Sequence, residues 1–257
     1  MNDISKFDEF MELQSGYPRS ISNDFFLPAE MRDRIDKGVL SFNAGDKALF
    51  MFEAREGFRK LYFRVRDMSA ELPQQDGTLA AYLTYRGSRY PDAAAEWLRG
   101  EGFEYTKTLV RHTAVRIIGE LSDEGVEKPS PDEVYSMFGR FFSAVEADLP
   151  CRGMFEQKSS FCIRAPDGEA LGVLYDMGRT RIVAVSEKAR GQGVGKRLYR
   201  AYALEKTSEN KNHVFYAWIA PDNTSSLAMY GSLGFVPDST MTDCFVIKDG
   251  DSYAKGN

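Results

Sequence analysis

Cysteine and histidine are scarce in this sequence: three cysteines (Cys151, Cys162, Cys244) and two histidines (His112, His213) in 257 residues. The cysteines are odd in number and lack CxxC spacing, which excludes a disulfide framework and leaves any metal site poorly supplied with ligands; none is expected. No apolar run approaches the length of a membrane span. The N-terminus, Met1-Asn2-Asp3, lacks the basic-then-apolar order of a signal peptide. A soluble cytoplasmic protein is therefore expected, without a membrane partner. Positive charge is also in deficit, with a formal net charge of -5; a nucleic-acid partner, which needs a basic footprint, is not expected. What remains is ordinary for a globular chain: 43% hydrophobic and 28% charged residues. A chain of this length buries roughly 70–75% of its unfolded surface and needs no covalent staple.

Residues 3–14 place Ile4, Phe7, Phe10, Met11 and Leu13 mainly on one helical face. Ala48–Arg66 reads as a hairpin about Gly57, Leu79–Tyr85 as a strand, Asp92–Arg99 as a short helix, and Leu109–Ile118 as a strand. Ser122–Pro131, with its acids, Gly125 and two prolines, reads as a linker dividing residues 1–121 from 122–257. It ends in Ser130-Pro131-Asp132-Glu133, the signature of a capping box opening a helix that carries Val134, Phe138, Phe141 and Val145. Strands follow at Phe161–Arg164, Ala170–Tyr175 and Arg181–Val185. Then come a glycine-rich turn, a helix with Val194, Leu198, Ala201 and Leu204 inward, strand His213–Ile219, a helix to Leu233 and strand Thr240–Ile247. The pattern is α/β, with a largely antiparallel hairpin entering a strand–glycine loop–helix unit.

Strand Tyr82–Tyr85, the following helix and Gly102-Phe103 echo strand Val214–Ile219, its helix and Gly234-Phe235. Duplication and ordinary helix C-capping explain this echo equally well. If duplication holds, the first copy lacks a site, because the chain between Arg66 and Leu79 is too short for the glycine loop and its helix.

The strongest local signal is Arg190-Gly191-Gln192-Gly193-Val194-Gly195-Lys196-Arg197 after strand Arg181–Val185. Glycines let phosphates approach the backbone, and the unpaired amides and dipole of a helix start favour an anion there. Lys188, Arg190, Lys196, Arg197 and Arg200 make this a basic spot on an acidic protein. A plain packing turn would use the same glycines. A P-loop is excluded by Arg190 and Arg197 where glycine and Ser/Thr are needed, and a dinucleotide fingerprint by Lys196.

Arg190-x-x-Gly193-x-Gly195 after a strand resembles the acyl-CoA signature of the GNAT superfamily of N-acetyltransferases. Asn223, Ala228, Tyr230, Gly234 and Phe235 are similar to the second motif of that family, in the same order. The resemblance covers roughly residues 125–250. It implies a GNAT fold, a mostly antiparallel mixed sheet flanked by helices, in the C-terminal half, preceded by an α/β domain that could be a degenerate GNAT-like copy. It also implies acetyl-CoA as cosubstrate, direct acyl transfer to a primary amine of a small molecule or peptide, and compatibility with a homodimer. By the same resemblance Val183, Ala184 and Val185 would carry the pantetheine arm, with the Val185 amide stabilising the oxyanion. Arg190, Gly191, Gln192, Gly193, Val194, Gly195 and Lys196 would hold the pyrophosphate, and Asn223 would bond to the arm. Tyr230 would be the general acid, since a phenol stays protonated at neutral pH. For Asn223 the residues alone allow a helix N-cap, and for Tyr230 core packing.

One departure stands out. Where some family members carry a glutamate base, this chain has Trp218, which cannot accept a proton; Asp176 and Tyr216 are the nearest weak substitutes. A non-catalytic acyl-CoA sensor is therefore the competing class.

Overall fold

The computed structural model describes residues 5, 7–9, 11, 21–23, 28–156, 160–178 and 181–248. The chain forms two compact units, Met1–Thr108 with Met241–Asn257, and Leu109–Thr240. These limits differ from the division at the acidic, proline-containing segment, because two long strands each contribute to both units.

In the first unit, β1 (Ile21–Ser22) and α1 (Pro28–Asp36) precede the meander β2 (Leu40–Ala44), β3 (Ala48–Arg55) and β4 (Phe58–Val65). The β3–β4 hairpin closes in register Arg55↔Phe58 around Gly57, whose φ of 80° lies in the left-handed region that glycine tolerates. β5 (Leu79–Arg86) then pairs parallel with β4, Arg59↔Leu79 to Leu61↔Ala81. α2 (Asp92–Gly100) follows, then β6 (Glu104–Ala114), whose first residues close this unit with the second half of β11 (Val236–Ile247). Alternation on β3 sends Phe50 and Phe52 into the core under α2 with Trp97, Leu98 and Phe103, and Leu49 and Met51 into the core with Phe7, Met31 and Phe42. The helix expected over residues 3–14 lies largely outside the described residues; Phe7 within it is buried against Phe42 (5.6 Å).

The second unit opens with residues 109–114 of β6. The Ser130–Glu133 capping box forms with both reciprocal bonds and starts α3 (Pro131–Phe141). The helix expected to run through Val145 stops at Phe142, because a second capping box, Ser143 with Glu146, starts α4 (Ala144–Ala147). β7 (Ser160–Arg164), β8 (Ala170–Asp176) and β9 (Arg181–Val185) form an antiparallel sheet with β9 at its edge. α5 (Val194–Glu209), β10 (Phe215–Ile219), α6 (Thr224–Ser232) and the first residues of β11 complete the unit. β10 pairs antiparallel with β6, Phe215↔Ala114 to Ile219↔Val110, so it belongs to a different sheet from β9. α5 and α6 share one core with Phe161, Leu174, Phe215 and Ile219; α3 and α4 share the other with Cys162, Val173, Tyr175 and Ala184. Among the described residues no helix is long and apolar enough to cross a membrane.

The echo read in the sequence has a backbone counterpart. α2 and α6 are both nine residues long. Their N-caps, Pro91 (φ -84°, ψ 65°) and Asn223 (φ -81°, ψ 74°), and C-caps, Glu101 (φ -84°, ψ 4°) and Leu233 (φ -91°, ψ 0°), nearly coincide. Phe103 donates to the Leu98 carbonyl (3.0 Å) as Phe235 does to Tyr230 (3.1 Å), across Gly102 (φ 91°) and Gly234 (φ 93°). In this correspondence Pro91 stands for Asn223 and Leu98 for Tyr230. The first unit has no helix between β4 and β5, and those strands pair directly.

Candidate active site

Two strand edges, one helix start and one helix face meet in the second unit. Ser186 donates to the Leu171 carbonyl (2.9 Å), so the antiparallel alternation sets Ala184 and Ile182 into the ladder with β8. The N–H and C=O of Val183 and Val185 then turn to the unpaired edge of β9. Ala184 does not share that role, since its backbone faces Val173 and its side chain is buried under α3. β9 and β10 are tied at one end by side chains instead of a ladder. Arg181 donates to the Tyr216 carbonyl (2.9 Å) and to the Tyr202 hydroxyl, and the Tyr216 hydroxyl donates to the Gly178 carbonyl (2.9 Å). Arg181 is itself held by Asp176 (3.2 Å), in an almost fully buried pair. From this tie the two strands separate into different sheets.

The glycine loop stands at the other end of β9. Gly191 (φ 76°) and Gly193 (φ 77°) take left-handed backbone, and a Cβ on either would meet nothing within 4 Å. The space in front of them is open. The amides of Gly191, Gly193, Val194, Gly195 and Lys196 donate to no acceptor among the described residues; the first amide of this turn bonded within the helix is that of Arg197, to Gly193. Gly195 packs tightly: a Cβ there would stand 2.6 Å from Met229 Sδ, 3.5 Å from Val185 Cγ2 and 3.9 Å from Val183 Cγ1. Gly195 thus marks where α5, α6 and β9 converge. Gly172 on β8 does similar work that the sequence reading did not register. A Cβ on it would meet Val194 Cγ1 at 2.7 Å and the Ala184 carbonyl at 3.1 Å, so its absence lets α5 settle on the sheet.

The basic cluster is smaller than the sequence suggested. Arg197 donates to the Glu124 carbonyl (3.3 Å), Arg200 to that of Ile118 (3.4 Å), and Lys188 pairs with Glu169. Arg190 lies over the Phe141 ring (5.3 Å), and it and Lys196 remain beside the open amides. Gln192 fastens the loop through its side chain to the Lys188 carbonyl (2.8 Å), while the Val194 side chain is core.

Asn223 and Tyr230 come from α6. The Asn223 Oδ1 accepts from the Ser226 amide (3.0 Å), the N-cap role, and its Nδ2 has no acceptor among the described residues. Tyr230 is 6% exposed, its ring edge-to-face with Tyr199 (5.3 Å) and Phe235 (5.1 Å). Its hydroxyl has no partner among the described residues. Burial raises its pKa above the usual 10.0, only partly offset by Arg181, so it is a phenol at neutral pH. The ring is therefore core, and the hydroxyl is a phenol without an acceptor among the described residues. The weak base candidates are both engaged. Asp176 is paired with Arg181 and accepts from the Gly178 amide (3.1 Å), and Tyr216 donates to Gly178. A cavity of about 310 Å³ against the C-terminal half of α5, lined by Val126, Lys128, Phe161, Leu204 and Glu205, includes none of these residues.

The sequence of residues 132–235 matches the model of the acetyltransferase (GNAT) family, a span that contains the β9 edge, the glycine loop, Asn223 and Tyr230. The chain carries a GNAT acetyltransferase domain. A domain of that family implies acyl transfer from an acyl-CoA. Among solved structures, a tandem GNAT protein from the clavulanic acid biosynthesis pathway superposes with a TM-score of 0.55 at 12% identity, covering 98% of this chain and 97% of its own. A putative GNAT acetyltransferase from Novosphingobium aromaticivorans gives 0.53 at 15% identity, covering 83% and 93%. A putative acetyltransferase from Pyrococcus horikoshii gives 0.52 at 11%, covering 97% and 93%. These similarities concern the fold. A search of curated proteins found no match.

The GNAT site fits an acyl-CoA. Its phosphates need donors, and the uncommitted amides of residues 191 and 193–196 supply them before a space that any Cβ would narrow. Its amide-bearing arm needs a strand partner, and Val183 and Val185 offer one.

Proposed function

We propose that this protein is an N-acetyltransferase that moves an acetyl or other small acyl group from acyl-CoA to a primary amine by direct attack. The observation that carries the reading is the unpaired β9 edge, which ends at the open amides of the glycine loop and lies in the same core as Tyr230. When bound, the acyl-CoA supplies the activated thioester. Arg190, Lys196 and the loop amides hold its phosphates, Asn223 Nδ2 and the Val183 and Val185 backbone groups hold its arm, and the Val185 amide donates toward the carbonyl oxygen as charge develops. Tyr230, kept protonated by burial, gives its proton to the departing sulfur. The amine has to arrive neutral, since Asp176 and Tyr216 are engaged and Trp218 is no base; the proton it sheds after attack passes to water, and the Tyr230 oxygen regains one by the same route. The first unit is the catalytically silent copy of a tandem pair: Leu98 and Pro91 replace the phenol and the amide, and β4 and β5 leave no opening.

The test is amine-dependent CoA release with the full chain. Thiol release that rises with amine and falls in Tyr230→Phe supports the enzyme. Saturable acetyl-CoA binding without any release would make the protein a sensor.

A further inference from the structure

On β10, Phe215, Ala217 and Ile219 point into the core shared with α5 and α6, which carry the glycine loop and Tyr230. Alternation turns Tyr216 and Trp218 to the opposite face, where both are half-buried. If the acyl-CoA occupies the helix side of the opening, this is the side from which an acceptor reaches it. Trp218 stands opposite Arg111 in the β10–β6 register, with the guanidinium 6.0 Å from the indole ring centroid. Arg111 Nε donates to Asp238 Oδ2 (2.7 Å), and Asp238 Oδ1 accepts from the Thr240 amide (2.6 Å), so the carboxylate is fixed before it orients the arginine. The two terminal nitrogens of Arg111 have no acceptor among the described residues, and its side chain is 37% exposed. Arg181 lies over the Tyr216 ring (4.4 Å) but is only 3% exposed and is spent on Asp176, Tyr202 and Tyr216.

We infer that Arg111 and Trp218 select an acceptor that carries a carboxylate besides its amine, an amino-carboxylate whose body lies along the indole. A guanidinium tethered through Nε keeps its Nη pair as a planar fork, the geometry that receives a carboxylate in two parallel bonds. β6 lies one strand spacing, about 4.8 Å, beyond β10, so the fork holds the carboxylate aside from the reacting amine. The indole face binds either a flat ring or an aliphatic stem. This rests on the acyltransferase reading and deepens it.

The experiment compares matched pairs with the full chain and acetyl-CoA: L-phenylalanine against phenethylamine, L-tryptophan against tryptamine, β-alanine against ethylamine. The carboxylate member of a used pair is expected to show kcat/KM about 10- to 100-fold higher, the usual worth of a charge-assisted contact. Arg111→Gln should bring that member down to its partner while acetyl-CoA affinity is retained, and Arg111→Lys should restore part of the difference. A decarboxylated amine used as well as its partner, or a preference that survives Arg111→Gln in a folded protein, overturns the inference and leaves acyl transfer standing. Calorimetry with N-acetyl-L-tryptophan and N-acetyltryptamine, in the presence of CoA, decides it independently of turnover. Tighter binding of the carboxylate compound, weakened by Arg111→Gln, supports the inference. Equal binding, or no binding of either to protein that holds CoA, overturns it. Acyl transfer fails separately, if no amine of any pair draws CoA release.

Discussion

Gly193→Asp strikes the phosphate cradle at a position where the consequences can be separated. The residue caps α5 with φ at 77°, so any side chain there meets left-handed strain of about 1–2 kcal/mol. No atom within 4 Å would clash with the new Cβ. The alanine variant therefore carries the strain alone. It should lower Tm by roughly 2–4 °C for each kcal/mol and change acetyl-CoA affinity less than about fivefold. The aspartate variant adds a carboxylate before the amides that receive the pyrophosphate. At about 5 Å and an effective dielectric of 20–80, each like-charge pair costs roughly 1–3 kcal/mol, so two phosphate charges raise Kd by about 30-fold or more. The penalty should shrink as salt is added. Calorimetry on the three proteins, after thermal melts confirm the fold, measures both terms. An aspartate variant that binds acetyl-CoA within threefold of the parent would refute the assignment of these amides to phosphate.

Tyr230→Phe keeps the packed ring and should lower kcat about 10- to 10³-fold with acetyl-CoA affinity little changed; turnover within a factor of two would reduce Tyr230 to a core residue. Burial holds the Tyr230 proton above the unfolded pKa of 10.0, a contribution to stability that is complete below pH 10 and is lost as pH rises through the folded value. Melts across that range should fall less steeply in Tyr230→Phe than in the parent, and parallel curves would contradict the burial. Gly172→Val should displace the start of α5 through Val194 and the Ala184 carbonyl, weakening acetyl-CoA binding at least tenfold although residue 172 touches no ligand; calorimetry showing parental affinity would contradict this. A chain starting at residue 125 removes all five register partners of β10 on β6, so it should bind acetyl-CoA far more weakly than one starting at Leu109. Equilibrium dialysis giving equal binding for both would show that β6 does not support the site.

The residues proposed to hold the cofactor were legible because the features that single them out are local. A glycine spacing, a capping asparagine and a helical tyrosine each carry their geometry within a few residues of chain. The Ser130 capping box was equally readable and formed as expected. What the sequence did not disclose depends on partners distant in the chain. The compact units do not follow the acidic segment, because β6 and β11 each continue from one unit into the other, and nothing in a strand's own residues marks where one unit ends. The five cations near the loop read as one cluster, but carbonyls at Ile118 and Glu124 draw two of them away. Gly172 looked like an ordinary strand glycine, and only the helix resting on it gives it meaning. Arg111 and Asp238 carried no signal at all, since nothing local pairs residues so far apart.

The most direct test is one assay: the purified protein, acetyl-CoA near its parental Kd and a panel of amines, with CoA thiol and acetylated amine measured together. The two products are expected in equal amounts with at least one amine, and both should fall together in Gly193→Asp and in Tyr230→Phe. Acetyl-CoA bound saturably with no acetylated amine, or transfer at the parental rate in Gly193→Asp at that concentration, would contradict the acetyltransferase reading.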